Sequence, residues 1–455
     1  MLSSNAMGTR PVLPLLLSMS VPPMISMLIQ SMYNVVDSIF VARLSQNALT
    51  AVSLAFPLQN LVLAVAVGLG VGLNACIARS LGAGDPEKAN DAAAHGLVFT
   101  TIHALLFVLV GVFGTRPFLQ MFTTDPEVLE MGCQYSYIVI CLSFGSLYHI
   151  FIEKIFQATG NMVAPMILQG VGAIINIVLD PILIFGLFGL PAMGVPGAAI
   201  ATVAGQMTAC ALAVALFVKG DCPVRIHMKG FRLKGAVAAQ VYSVAVPSGL
   251  MVALPSLLVG MLNAILSAFS QTAVAVFGAY FKLQTFVYMP ASGLVQGMRP
   301  IMSFNYGAGR RDRMHQILRS SLLVTGGIML VGWLLFTLLP GPIMALFGAD
   351  ARMSAMGASA LRIISLGFVV STVGFVLAGA FEALGKGVQS LTVSMIRQLI
   401  VIPPLAWALS KPFGLAGVWA SFPIAELLAA VVAVVLYRHT MKHLPIPAVQ
   451  EEETK

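Results

Sequence analysis

Apolar residues fill long stretches of the chain, and short clusters of Gly, Pro and charged residues separate them. A helix needs about 20 mostly apolar residues to cross a bilayer. On that measure the pattern predicts twelve helices, near residues 14–42, 48–80, 92–115, 132–158, 163–188, 195–218, 238–268, 272–303, 316–339, 356–384, 388–410 and 414–437. Several exceed a perpendicular crossing, so tilt or extension beyond the bilayer is expected. The runs are too long, and alternate too little, for the strands of a membrane β-barrel.

The longest internal break, KGDCPVRIHMKGFRLKG over 219–235, divides the chain into halves that resemble each other at an offset of 225 residues. Pro22 answers to Pro247, Gln59 to Gln284, Gly68 to Gly293, Gly72 to Gly297 and Asp125 to Asp350. Gln157 and Gly160 answer to Glu382 and Gly385. Near the end the offset falls to 220, matching Gly194 and Gly197 to Gly414 and Gly417, which implies a shorter loop in the second half. The expected architecture is an all-α integral membrane protein with twelve transmembrane helices in two pseudo-symmetric six-helix bundles. Its expected parts are an amino-terminal bundle over 1–218, a cytoplasmic basic linker over 219–235, a carboxyl-terminal bundle over 236–440 and a cytoplasmic tail over 441–455. With six helices each, the halves run in the same direction, so an axis along the membrane normal relates them, as in many secondary transporters.

Composition excludes water as the main solvent. Hydrophobic residues make up 58% of the chain and charged residues 9%, against about 25% charged in soluble domains. The mean hydropathy is +0.92. The net charge of +8 marks topology rather than nucleic-acid binding. With the termini and even-numbered loops on one side, only Arg43, Arg116, Arg352, Arg362 and Lys411 fall on the other. Lys282, Arg299 and Arg397 lie within or near the ends of spans. The positive-inside rule then places both termini in the cytoplasm, across a cell inner (plasma) membrane. The five cysteines are scattered and lack metal-ligand or disulfide spacing.

Against this background a carboxylate inside a span stands out, because it costs at least about 2.5–3.5 kcal/mol and marks a path for ions or substrate. Asp37 lies in the first span, with Tyr33 four residues and Asn34 three residues before it, placed on one helical face. Asp180 lies in the fifth span, with Asn176 one turn earlier. Both spans run outward, so the carboxylates reach comparable depth and form a candidate site for H⁺ or Na⁺, with Asp37, Asp180 and Asn176 as Na⁺ ligands. The competing reading is that each Asp caps or interrupts its helix; Asp180 precedes Pro181, which suits a kink. Thr202 in the sixth span offers a further oxygen, or bonds its own backbone. Secondary candidates are Glu382, Glu426, Gln284 and Arg397. Glu382 is expected in a structural contact. Glu426 either faces a base such as Arg397 or takes a proton. Lys282 and Arg299 either counter such charges or snorkel. Glu153 and Lys154 are expected as an interfacial pair. No phosphate-binding loop or catalytic motif occurs, so neither an enzyme nor a cofactor beyond the coupling ion is expected.

The runs NVVDSIFVARL, NIVLDPILIFG, GVPGAAIAT, SFNYGAG and FGLAGVWASFPIAE, in this order and spacing, resemble the multidrug and toxic compound extrusion (MATE) family over about residues 10–440, nearest its DinF-like and MepA-like bacterial branches. The resemblance implies an antiporter, expected as a monomer among membrane lipids. It would expel cationic amphipathic drugs in exchange for H⁺ or Na⁺ through alternating access of a V-shaped pair of bundles. The family's amino-terminal site maps onto Tyr33, Asp37, Asn176 and Asp180. A NorM-like branch uses carboxylates in the seventh and tenth spans for Na⁺. Here the seventh span has none, Leu262 standing at the repeat position of Asp37, and the tenth offers only Glu382. The rival reading is a lipid-linked oligosaccharide flippase of the same superfamily, for which Lys282, Arg299 and Arg397 would supply a basic cavity.

Overall fold

A computed structural model describes residues 6–346 and 349–445; residues 446–455 of the expected tail lie outside the described residues. The first three spans are Val12–Ala42, Gln46–Gly82 and Pro86–Gln120. The fourth is a bent pair, Pro126–Cys141 and Phe144–Ala158, and the fifth and sixth are Val163–Phe185 and Val195–Lys219. The second half repeats the series with Gly235–Ser267, Gln271–Gly307, Arg311–Leu338 and a second bent pair, Ala351–Ser365 and Phe368–Ala383. A last stretch, Gly387–His443, passes through Gly414 at φ 59°, ψ −139°, and divides there into the eleventh and twelfth spans. Among the described residues, eight helices are apolar and long enough to cross a membrane alone, and the bent pairs raise this to ten. The Gln271–Gly307 helix, which carries Lys282 and Arg299, and the division at Gly414 complete the expected twelve.

The repeat extends to backbone geometry. Ser45 and Ser270 cap the second and eighth spans, accepting from Ala48 N at 3.0 Å and Ala273 N at 3.1 Å. Such caps satisfy amide groups that a helix start leaves without partners. Asp125 and Asp350 do the same for the fourth and tenth spans, accepting from Glu127 N at 2.9 Å and Met353 N at 2.7 Å. Those two spans bend by 41° and 51°. Gly194, at φ 58° and ψ −131°, reproduces Gly414 at the shorter offset. Only glycine tolerates that backbone without strain.

The chain packs into two compact units. One is Ile25–Gly249 with Ala6 and Met7; the other is Gly8–Met24 with the chain from Leu250 onward. The units therefore differ from the halves of the repeat: the first part of the first span belongs to the carboxyl-terminal unit, and the first part of the seventh to the amino-terminal one. Glycines seat both segments. In the amino-terminal unit, a Cβ on Gly68 or Gly72 would collide with the carbonyls of Ala245 and Val241. In the carboxyl-terminal unit, a Cβ on Gly297 would lie 2.5 Å from Ser20 Oγ, and one on Gly293 would strike Met24. Glycine faces of this kind let membrane helices approach backbone to backbone.

In the amino-terminal unit the core gathers Leu73, Ile77, Phe151 and Ile155 with Val241. The linker is docked on the third span: Arg225 N donates to Asn90 Oδ1 at 2.7 Å, Lys234 N to His95 Nε2 at 2.8 Å, and Lys234 Nζ pairs with Asp91 at 2.9 Å. In the carboxyl-terminal unit Phe277, Tyr280, Trp419 and Phe422 form an aromatic core.

Candidate functional site

The fifth span is amphipathic in the sense that suits lipid. Val163, Ile167, Ile174 and Val178 are exposed along one stripe, while Leu168, Gly172, Asn176, Asp180 and Ile184 are buried on the other. The helix runs unbroken through Pro181 to Phe185, so Asp180 neither caps nor interrupts it. Glycine sets the depth of packing against the sixth span: a Cβ on Gly205 would lie 2.5 Å from Gly172 O and 3.3 Å from Asn176 Cβ. That approach places Asn176 Nδ2 at 3.3 Å from Thr202 Oγ1, to which it donates. Thr202 therefore turns toward the fifth span instead of bonding its own backbone.

Asp180 is 0% exposed. Asp37 lies within interaction reach of it, and Tyr33 flanks both carboxyls. Asp37 Oδ1, Asn176 Oδ1 and both oxygens of Asp180 are buried with no donor. Buried acceptors are rarely left so, and a carboxylate is costly to bury without a partner. The set consists of oxygens, the ligand type that suits a hard cation; a shared proton satisfies it equally. The structure thus brings together Tyr33, Asp37, Asn176, Asp180 and Thr202. Asn34 is left out: its side chain is exposed, and its carbonyl accepts from Ser38 at 2.8 Å.

Two residues that the sequence did not single out for the site join it. Tyr135 of the fourth span is 2% exposed, beside Asp37 and Tyr33. Its hydroxyl accepts from Gln59 Nε2 at 3.1 Å. Gln59 stood out only as a member of the repeat, and the amide pair Gln59-Asn60 inside an apolar run is the signal that could have marked it.

The secondary candidates lie in the carboxyl-terminal unit and are paired. Arg397 Nε donates to Glu426 Oε1 at 2.7 Å, and Arg299 Nε lies 2.8 Å from Glu382 Oε2. Gln284 sits beside the Tyr288 hydroxyl, which donates to Ser371 at 2.8 Å. Lys282 is exposed. Glu153 and Lys154 form the expected pair, largely buried within the amino-terminal unit. Lys154 is only 6% exposed, and its ammonium donates to Glu153 at 2.9 Å and to Gln157 at 3.0 Å.

A model of the MatE family matches residues 22–182 and again residues 247–407. The chain belongs to the MatE family. The two matches begin and end 225 residues apart, the offset of the internal repeat. The chain is similar to the multidrug export protein MepA of Staphylococcus aureus (strain bovine RF122 / ET3-1), at 26% identity across 94% of this chain and 93% of that protein. A crystal structure of MATE in complex with MaD3S aligns with a TM-score of 0.91 at 25% identity, covering 98% of this chain and 99% of that one. An outward-facing multidrug resistance MATE family transporter of the MOP superfamily aligns at 0.88 and 26% identity, covering 96% and 99%. These neighbours carry the twelve-helix, two-lobed membrane fold, and the family is one of transporters rather than enzymes.

Proposed function

We propose that this chain is a multidrug efflux antiporter that exports cationic amphipathic compounds in exchange for H⁺ or Na⁺ by alternating access. It acts as a monomer in the plasma membrane with both termini cytoplasmic. The observation that supports the coupling site best is the Asp37–Asp180 pair, whose buried oxygens lack donors. Such a pair demands a positive charge. A proton or Na⁺ meets the demand in one state and the cationic drug in the other, so the two compete for the same carboxylates. Coupling follows when ion and drug have different affinities for the inward-open and outward-open forms. The first, fourth, fifth and sixth spans supply Tyr33, Tyr135, Asn176 and Thr202 around that charge. The flippase reading needs unpaired cations for phosphate, whereas Arg299 and Arg397 are each held by a carboxylate.

The test is ethidium transport in everted vesicles, driven separately by an imposed proton gradient and an imposed sodium gradient. Wild type should respond to one of them, and Asp37→Asn should lose the response. Export by Asp37→Asn at the wild-type rate would show that the coupling site is elsewhere.

A further inference from the structure

Among its described residues the carboxyl-terminal unit has no counterpart of the Asp37–Asp180 pair. Leu262 and Leu405 stand at the repeat positions of Asp37 and Asp180, and Val401 at that of Asn176. Its twelfth span instead carries Glu426, 8% exposed, which the guanidinium of Arg397 meets at 2.7 Å. Arg397 lies in a widened turn of the eleventh span, Ile396–Ile400, an irregularity frequent at functional sites, although a second one, Val110–Gly114, lies in the third span. Its guanidinium carbon is 5.3 Å from the ring centre of Tyr288 and 5.4 Å from that of Phe375. The second carboxylate oxygen of Glu426 and the hydroxyl of Tyr280 are buried with no hydrogen-bond partner. Gly367, at the bend of the tenth span, makes the room, since a Cβ there would lie 3.3 Å from Glu426 Cγ.

A carboxylate with aromatic faces beside it is the chemistry that recognises organic cations. We propose that Glu426, Tyr288 and Phe375 form a site for a planar organic cation of the guanidinium class, and that Arg397 fills it as a tethered occupant. A recognition site differs from plain packing in one respect: it accepts a free cation of the same shape once the tether is removed, and a packed pair does not. On the antiport reading proposed above, and resting on it, the fixed guanidinium leaves exchange of a mobile cation to Asp37 and Asp180.

The experiment is thermal unfolding of the full chain in nanodiscs, followed by tryptophan fluorescence, with guanidinium chloride titrated at low millimolar concentration against matched sodium chloride. The midpoint of Arg397→Ala should rise saturably with guanidinium or methylguanidinium, by about 2–4 °C. Wild type, whose site is filled, and Arg397→Ala/Glu426→Gln, whose carboxylate is gone, should show no saturable rise. No response in Arg397→Ala, or the same response in all three proteins, overturns the proposal. If Arg397→Ala does not fold alone, its yield as monodisperse protein from cells grown with guanidinium decides. Rescue supports the site. Absence of rescue, with the double variant folding normally, overturns it. The readout involves no drug transport, so its failure is separate from failure of the efflux reading.

Discussion

At the residue scale the amino-terminal site is a problem of unmatched acceptors. Two carboxyls and an amide carbonyl offer buried acceptors together, and the nearby amide donors are spent elsewhere: Asn176 Nδ2 on Thr202, and Gln59 Nε2 on Tyr135. The Gln59–Tyr135 bond should hold the Tyr135 ring against Asp37. Removing the hydroxyl in Tyr135→Phe deletes one hydrogen bond, worth about 1 kcal/mol, and should lower drug export roughly fivefold. Combined with Asp37→Asn it should add nothing, because residues acting through one site are not additive. Vesicle efflux rates for the two single variants and the double variant check this, and an independent, multiplicative loss contradicts it. Asn34 illustrates the limit of helical spacing. It lies about 100° from Tyr33 around the helix, and packing half-buries Tyr33 while leaving Asn34 exposed.

At the element scale, glycine decides which helices touch. Gly172 and Gly205 bring the fifth and sixth spans to backbone contact and so set the Asn176–Thr202 distance. Gly72 and Gly297 seat the leading parts of the seventh and first spans within their respective units. Gly72→Leu and Gly297→Leu should each destabilise strongly, by about 3 kcal/mol or more, because backbone atoms of Val241 and of Met19, the latter behind the Ser20 hydroxyl, block the added carbons. Gly327→Ala in the ninth span meets nothing within 4 Å and should be neutral or stabilising by up to about 1 kcal/mol. Thermal unfolding of the three purified proteins gives the comparison. The sequence displayed these glycines as repeat positions. What each would face was not legible, because the partner helix is remote along the chain.

At the scale of the whole molecule, the two units share a backbone plan and differ in charge. Asn74 in one half answers to Arg299 in the other, and Gln157 to Glu382. The amino-terminal unit closes this place with Asn74 donating to Lys154 O at 3.2 Å and with the Glu153–Lys154–Gln157 cluster. The carboxyl-terminal unit closes it with the Arg299–Glu382 ion pair. Breaking a buried pair leaves one charge uncompensated at a cost of about 3–5 kcal/mol, while replacing both partners is often nearly neutral. Arg299 keeps some exposure, its side chain being 22% accessible, so Arg299→Met should fall at the lower end of that range. Arg299→Met/Glu382→Met should recover most of the loss in a thermal-unfolding series. If the double variant is as unstable as the sum of its singles, the pair is not a compensating unit.

The sequence by itself determined the solvent, the number of spans and the repeat. It also marked the charges that could not be loop solvation, because a bilayer penalises every polar group whatever the fold. Asp37, Asn176 and Asp180 stood out for that reason, as polar groups within apolar runs. Only the tertiary structure decided which of these groups meet. It left Asp37 and Asp180 without donors, gave Arg397 to Glu426 and Arg299 to Glu382, and added Tyr135 and Gln59. Those pairings depend on helix rotation and depth, set by glycine contacts between segments far apart in the chain, which no local pattern along one helix encodes.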